Sequence, residues 1–368
     1  MSTENLKILL IDSRGNLIIK GIEGIFELRE YLKKYRKRRN RMTTYTRVNM
    51  NEFIKNNINL DVDVTKKARS SRDFLYQQLE ELPSKVEDFP RLYPNKHIYN
   101  YGSFSRKTKI RPLDDIDFML VFAADGTTYE NFGDEVKLTV PKEAENLYKL
   151  RDENGYLNSR KIANKIKDNI SKVSQYKKAD IRSSQEAVIL SLTSYDWTFD
   201  IIPAFKTTEE SDGRSYYLIP NGKGHWKKTD PRIDQARVTG INKSTDFNVI
   251  EFIRIIKYWN KVQRINISSY LIENIVLNYF ETNYIWPNRK NQLNSFFAYL
   301  KDAIFESVLD PKGLQGDLND LEYKKKCLIQ NKAIASESAV VKALNFEASQ
   351  DYESADGQWR IIFGDDYE

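Results

Sequence analysis

The chain has 368 residues, 40% hydrophobic and 30% charged, with 22 Tyr, 18 Phe and 5 Trp; this excludes a disordered chain and predicts two or three lobes at ~100–200 residues each. A single cysteine, Cys327, rules out an internal disulfide and a Cys-rich zinc site, and the two histidines, His97 and His225, rule out a His-Glu-x-x-His metalloprotease. The formal charge of +6 sits in residues 1–41, with eleven basic and five acidic residues, while residues 42–368 hold 47 of each, so the body of the chain is no polycation.

In chain order, the apolar run Leu6–Ile11 and the piece Leu17–Ile19 flank a turn at Ser13-Arg14-Gly15-Asn16 and predict two short strands. Glu23–Arg41 reads as a helix ending in a basic run. A second helix is predicted over Thr65–Leu82, with Ala68, Leu75, Leu79 and Leu82 on one stripe, before Pro83, Pro90 and Pro94 break the chain. Strands follow at His97–Tyr101 and Asp115–Phe122, a polar helix at Ser159–Val173, and two strands, Ala187–Leu192 and Thr198–Phe205, joined at Ser194-Tyr195-Asp196. Beyond the turn at Pro220–Gly224 the pattern is helical: Phe247–Val262, Ser269–Phe280 with a serine N-cap, Asn291–Leu309 and Leu318–Ala348. No apolar run approaches the ~20 residues that span a bilayer. The N-terminus lacks the basic-then-apolar layout of a secretion signal, so a cytoplasmic protein is expected.

The chemistry concentrates in Tyr101–Phe122. Asp115 and Asp117 are two apart on a strand, so their side chains share one face while Ile116, Phe118 and Leu120 turn to the other. Neighbouring carboxylates repel, and burial sharpens the repulsion; a divalent cation with hard oxygen ligands relieves it. Taken alone, the pair is equally an acidic turn that starts a strand. Asp200, set between Phe199 and Ile201 in an apolar strand, tips the balance towards a metal site, because an acid in such a run is costly without a partner. Gly102-Ser103 lies shortly before the acid pair. Glycine lets the backbone approach a ligand closely, and the following helix start offers free N–H groups, so the step can cradle a phosphate, although by itself a Gly-Ser is only a turn.

Together, Gly-Ser, Asp-x-Asp and a third Asp on a neighbouring strand resemble the nucleotidyltransferase superfamily that includes DNA polymerase beta. The finer resemblance is to the bacterial CD-NTases, relatives of cyclic GMP-AMP synthase with a SMODS core. It is carried by Gly102-Ser103-x-x-Arg106-x-Thr108-x-Ile110-Arg111-Pro112, Asp200-Ile201-Ile202-Pro203-Ala204-Phe205 and Trp226-x-x-Thr229-Asp230-Pro231. Arg254-Ile255-Ile256-Lys257-Tyr258-Trp259 with Ser268-Ser269-Tyr270, and Trp359-x-x-Ile362-Phe363-Gly364, complete it. It covers roughly Met42 to Glu368.

The resemblance implies an α+β, bilobal nucleotidyltransferase fold: a mixed β-sheet core flanked by helices, plus a C-terminal helical lobe. The expected units are a basic extension over 1–42, a catalytic core over 43–245 and a helical lobe over 246–368. Asp115, Asp117 and Asp200 would hold two Mg²⁺ ions, with Mn²⁺ as a substitute, and Asp200 would lie nearest the acceptor hydroxyl. Gly102, Ser103, Arg106 and Lys257 would contact the nucleotide, Ser103 and Lys257 at its triphosphate; Ser269 would add a phosphate hydrogen bond and Tyr270 would stack on a base. Read without the family, Lys257 is a solvated lysine on an amphipathic helix and Tyr270 is core packing at a helix start. His225 is expected to be structural.

The implied activity is condensation of NTPs, ATP and/or GTP, into a cyclic di- or trinucleotide with release of pyrophosphate. The product would activate a downstream effector in bacterial antiphage (CBASS) signalling. A linear oligonucleotide or RNA-tailing transferase and a non-enzymatic nucleic-acid-binding protein are the alternatives. One Cys and two His exclude the zinc insert of the animal enzyme, and the neutral body argues against activation by long DNA. The basic arm at residues 33–41 reads as a contact for nucleic acid or an acidic partner, as a solvated helix, or as a leader ahead of a natural start at Met42. Base choice is assigned to lid and pocket residues that include Lys223–Thr239.

Overall fold

In the computed structural model, which describes residues 6–11, 17–22, 47–185 and 187–368, the chain opens with an antiparallel hairpin of β1 (Leu6–Ile11) and β2 (Leu17–Ile22), at the two strand-like pieces of the sequence. The helix expected over 23–41 and the basic run 33–41 lie outside the described residues. The helix α1 (Met50–Phe53) runs into a π-helical turn, Ile54–Ile58. Asp61 caps α2 (Val62–Glu80) by accepting from the backbone N–H groups of Asp63 and Val64, and Pro83 sits in the first turn of α3 (Leu82–Lys85), where its missing N–H costs nothing.

The sheet is then built from β3 (Ile98–Asn100), β4 (Asp115–Phe122), β5 (Thr128–Phe132), β6 (Glu135–Thr139), β7 (Asp180–Ser184), β8 (Ala187–Ser191), β9 (Thr198–Lys206), β10 (Tyr217–Pro220) and β11 (Trp226–Thr229). Short helices α4 (Gly102–Ser105) and α5 (Glu145–Tyr148), and the amphipathic α6 (Ser159–Ile170), interrupt it. The strand order is β3-β4-β9-β10-β11-β6-β5, with β8 paired to β9 and β7. β4 and β9 run parallel in the centre, and their neighbours pair antiparallel, which makes the sheet mixed.

Period-2 alternation sorts the two faces of this central pair. Ile116, Phe118, Leu120 and Phe122 of β4 and Phe199, Ile201 and Phe205 of β9 pack with Ala68, Leu75 and Leu79 of α2 and Ile162, Ile166 and Ile170 of α6. On the opposite face the strand starts carry Asp115, Asp117 and Asp200. Further along, that face becomes apolar, as Met119, Val121, Ile202 and Ala204 pack on Tyr217 and Ile219.

The helical part comprises α7 (Pro231–Ser244), α8 (Val249–Val262), α9 (Ser269–Thr282), α10 (Arg289–Ala303), α11 (Tyr323–Ala348) and α12 (Tyr352–Phe363). Its core is aromatic, with Phe252, Trp259, Tyr279, Phe296 and Trp359 buried, and it takes in Met50, Phe53, Ile54 and Ile58 from the N-terminal side of the chain. The fold is thus α+β and bilobal, a mixed sheet flanked by helices with a helical C-terminal lobe. No helix among the described residues is long and apolar enough to cross a membrane.

Residues 223–239, where lid and pocket residues for base choice are expected, span the turn before β11, β11 itself and the first part of α7, which Asp230 caps with Pro231 in its first turn. Two local readings change. The cap of α9 is Ser268, whose Oγ accepts from Leu271 N at 3.2 Å, rather than Ser269. The C-terminal helices also start or stop earlier or later than the apolar pattern predicts, with α10 ending at Ala303 and α11 starting at Tyr323.

Candidate active site

The parallel register of β4 and β9 sets Asp117 beside Asp200 and Asp115 beside Thr198. Three carboxylates therefore share one face of two adjacent strands. Burial, then the charges of Asp115 and Asp200, push the Asp117 carboxyl up to about 7. Burial and Asp115 likewise raise Asp200, against the Thr198 hydroxyl, which donates to Asp200 Oδ1 at 3.3 Å. Lys109 is the nearest counter-charge: its Nζ donates to Asp115 Oδ1 at 2.8 Å and also to Asp114. Among the described residues no three His, Cys, Asp or Glu side chains form a ready metal cage; the acids stand side by side on the sheet.

Gly102 explains the Gly-Ser step. Its φ is +74°, and a Cβ at this position would lie 1.9 Å from Asp117 Oδ2, so the backbone rests against the carboxylate and no other residue fits. Ser103 follows at the start of α4, and its carbonyl accepts from Thr108 N at 2.9 Å, which closes the loop. Ser103 also lines a cleft of about 660 Å³ together with Lys109, Arg111, Lys257, Lys261 and Ser269. The expected triphosphate residues Ser103, Lys257 and Ser269 thus come together from both lobes, in a cleft with four cationic side chains and one acid, Asp114, on its wall.

Arg106 does not join them. It is buried and turned inward, with Nε donating to Glu273 Oε2 at 3.1 Å. Lys257 Nζ donates to Glu273 Oε1 at 2.7 Å and to Thr108 O at 3.1 Å, and Thr108 Oγ1 donates to Glu273 Oε1 at 2.9 Å. Glu273 of α9 therefore ties the loop after α4 to α8. Burial pushes its carboxyl up, yet Arg106 and Lys257 outweigh that and hold it low. Burial draws Lys257 down, and Glu273 recovers only part of that. The sequence signal for Glu273 was the one that flagged Asp200: an acid inside the apolar run Leu271–Leu277.

Tyr270, beside Ser269 in the first turn of α9, is half-buried. Its hydroxyl lies 2.7 Å from Asp234 Oδ1 and 3.0 Å from Asp310 Oδ1, donating to these acids, while Lys312 donates to it and stands 4.1 Å above the ring centroid. The hydroxyl is fixed by charge, and Lys312 covers one ring face. His225, as expected, is a loop residue: it lies between β10 and β11, 3.9 Å from Glu135 and edge-on to Tyr156.

Two consequences can be measured. The rise of Asp117 from 3.8 to about 7 corresponds to as much as ~4 kcal/mol against the ionised, metal-free fold. That stability is full below the ordinary carboxylate range and is lost as pH rises through about 7. In EDTA, Asp117→Asn should therefore melt a few degrees above the wild type at pH 8, with the difference gone at pH 4; a variant that melts lower at pH 8 contradicts this. Glu273→Ala, which strands two buried cations, should cost ~3–5 kcal/mol in urea unfolding, and replacing Arg106, Lys257 and Glu273 together by apolar residues should cost less than Glu273→Ala alone.

The chain and its fold have known relatives. No family model matches the chain. A probable cyclic nucleotide synthase of Bacillus cereus (strain VD146) is 50% identical over 315 residues, which is 86% of this chain and 95% of that relative. CdnC of Escherichia coli MS115-1, in a structure with ATP, superposes with a TM-score of 0.63 at 17% identity over 86% of this chain and 97% of its own. The apo form of Vibrio cholerae DncV gives a TM-score of 0.61 at 11% identity over 88% of this chain and 97% of its own. With half of the 315 aligned residues identical along nearly the whole of a probable cyclic nucleotide synthase, and a fold shared with two CD-NTases, this chain belongs to the CD-NTase family.

Proposed function

We propose that the protein condenses nucleoside triphosphates, ATP and/or GTP, into a cyclic di- or trinucleotide, releasing pyrophosphate. The observation that carries this is the set of three carboxylates on adjacent parallel strands, linked through Lys109, which donates to Asp115, to a cationic cleft lined by Lys109, Ser103, Lys257 and Ser269. A carboxylate face aims metal chemistry at a reacting hydroxyl, and a cleft of lysines and hydroxyls suits a triphosphate.

The acid face fits Mg²⁺, with Mn²⁺ as a substitute: its donors are hard oxygens, and burial, with the charges of Asp115 and Asp200, disfavours the ionised Asp117 carboxyl, a cost that a bound cation would offset. Asp115, Asp117 and Asp200 would hold two such ions, which when bound lower the pKa of the attacking ribose hydroxyl and stabilise charge on the triphosphate. Gly102 keeps its backbone tight on Asp117 and so fixes where Ser103 presents its hydroxyl. Lys257, aligned by Glu273 and Thr108, sets a positive charge at the cleft wall, and Ser269 offers a further donor. Tyr270, with its hydroxyl pinned by Asp234 and Asp310, keeps one ring face for a base. Stacking there would contribute ~1–3 kcal/mol and tolerate several bases. Arg106 acts through Glu273 as a positioning residue.

ATP in the CdnC structure and the half-identical synthase support this choice of substrate and reaction. We extend the reading to a cytoplasmic enzyme whose product activates an effector in antiphage (CBASS) signalling; that extension rests on the family resemblance.

The test is incubation with labelled ATP and GTP and Mg²⁺, followed by phosphatase. A phosphatase-resistant labelled product is expected, and Asp115→Asn with Asp117→Asn should remove it by at least ~10³-fold, the scale of losing metal-borne transition-state stabilisation. With α-labelled substrates, a resistant product that loses terminal phosphates and changes mobility on phosphatase treatment would mean a linear oligonucleotide, and complete release of the label would mean that no phosphodiester bond forms. Full activity in the double variant would leave the acids structural.

A further inference from the structure

The acid face already has a cation of its own. Lys109 Nζ lies 2.8 Å from Asp115 Oδ1 and contacts Asp114 as well, with a side chain only 12% exposed. Its charge also acts on Asp117 and Asp200, so it offsets repulsion across all three acids. The same side chain lines the cleft with Ser103, Lys257 and Ser269. A lysine is a compact point charge on a flexible four-carbon stem, able to reach either place. A divalent cation on Asp115 and an ammonium on the same carboxylate would repel strongly at such separations.

We propose that Lys109 is an exchangeable counter-ion: it neutralises Asp115 while no divalent cation is bound, and moves to the triphosphate in the cleft when one enters. The proposal rests on the metal-dependent transferase reading above. Asp114, exposed and outside the proposed ligand set, is the anchor that holds Lys109 at the acid face. The exchange keeps Asp115 paired with a cation in both states, and makes tight metal binding conditional on a nucleotide that can receive the displaced lysine.

The experiment uses the full chain and two binding measurements without turnover. Mn²⁺ is titrated calorimetrically in the absence of nucleotide. A non-hydrolysable ATP analogue is then titrated in saturating Mn²⁺. Lys109→Met should bind Mn²⁺ about tenfold more tightly than the wild type, because its competitor is gone, and the ATP analogue about tenfold more weakly. A purely structural lysine would weaken both together. Lys109→Gln, read in the same way, serves if Lys109→Met does not fold. Unchanged or weaker Mn²⁺ binding in a folded Lys109 variant overturns the proposal alone. Wild-type protein that, with the ATP analogue present, shows no Mn²⁺ binding that Asp117→Asn abolishes overturns the metal-dependent reading, and this proposal with it.

Discussion

Three like charges on adjacent parallel strands are the constraint around which the rest of the molecule is arranged. The β4–β9 register fixes Asp117 beside Asp200 whatever the surrounding loops do. The reverse face of the same strands is fully committed to the core through Phe118, Leu120, Phe199 and Ile201, so the strands cannot slip by one residue to separate the acids without exposing that set. The repulsion is therefore built in, and the surroundings temper it only in part: Lys109 donates to Asp115 and the Thr198 hydroxyl to Asp200. A fold selected for stability alone would have no use for such an arrangement, which is characteristic of functional sites.

Glu273 supplies the second constraint, because the cleft has one wall on each lobe. Arg106 and Thr108 come from the loop after α4 and Lys257 from α8, and all three converge on one buried carboxylate of α9. Such a buried cluster is weak evidence for net stability, since desolvation opposes the Coulomb gain. Its effect here is directional. It aligns the lysine at the cleft wall and keeps the Ser103 loop in register with the helices. Next to Ser269 in the chain, Tyr270 joins Asp234, Asp310 and Lys312 in a second charged cluster that fixes the Tyr270 hydroxyl.

Much of this was legible in the residues. Asp115–Phe122 is a strand with the predicted bounds, and the buried stripe of α2 falls on Ala68, Leu75 and Leu79 as the helical period requires. Strong periodicity bordered by clear breakers makes such elements readable. β5 and β11 were not readable, because β5 is mostly exposed and β11 buries only Trp226 fully, so neither displays an apolar alternation. Motif position drew Lys257, Ser269 and Ser103 to one cleft, yet it could not tell that Arg106, in the same motif, turns into the core. That choice depends on Glu273, distant in sequence, and only the packing of α9 against α8 reveals it. The ring of Tyr270 was legible as an aromatic at a helix start, while the acids and lysine that fix its hydroxyl come from α7 and from the loop before α11.

The central claim is that Asp115, Asp117 and Asp200 hold the cations that drive nucleotidyl transfer. Anomalous diffraction from crystals grown with Mn²⁺ and a non-hydrolysable ATP analogue tests it most directly. The account predicts manganese peaks within coordination distance of all three carboxylates, with the triphosphate against Ser103 and Lys257. Bound nucleotide with no manganese at these acids would contradict it.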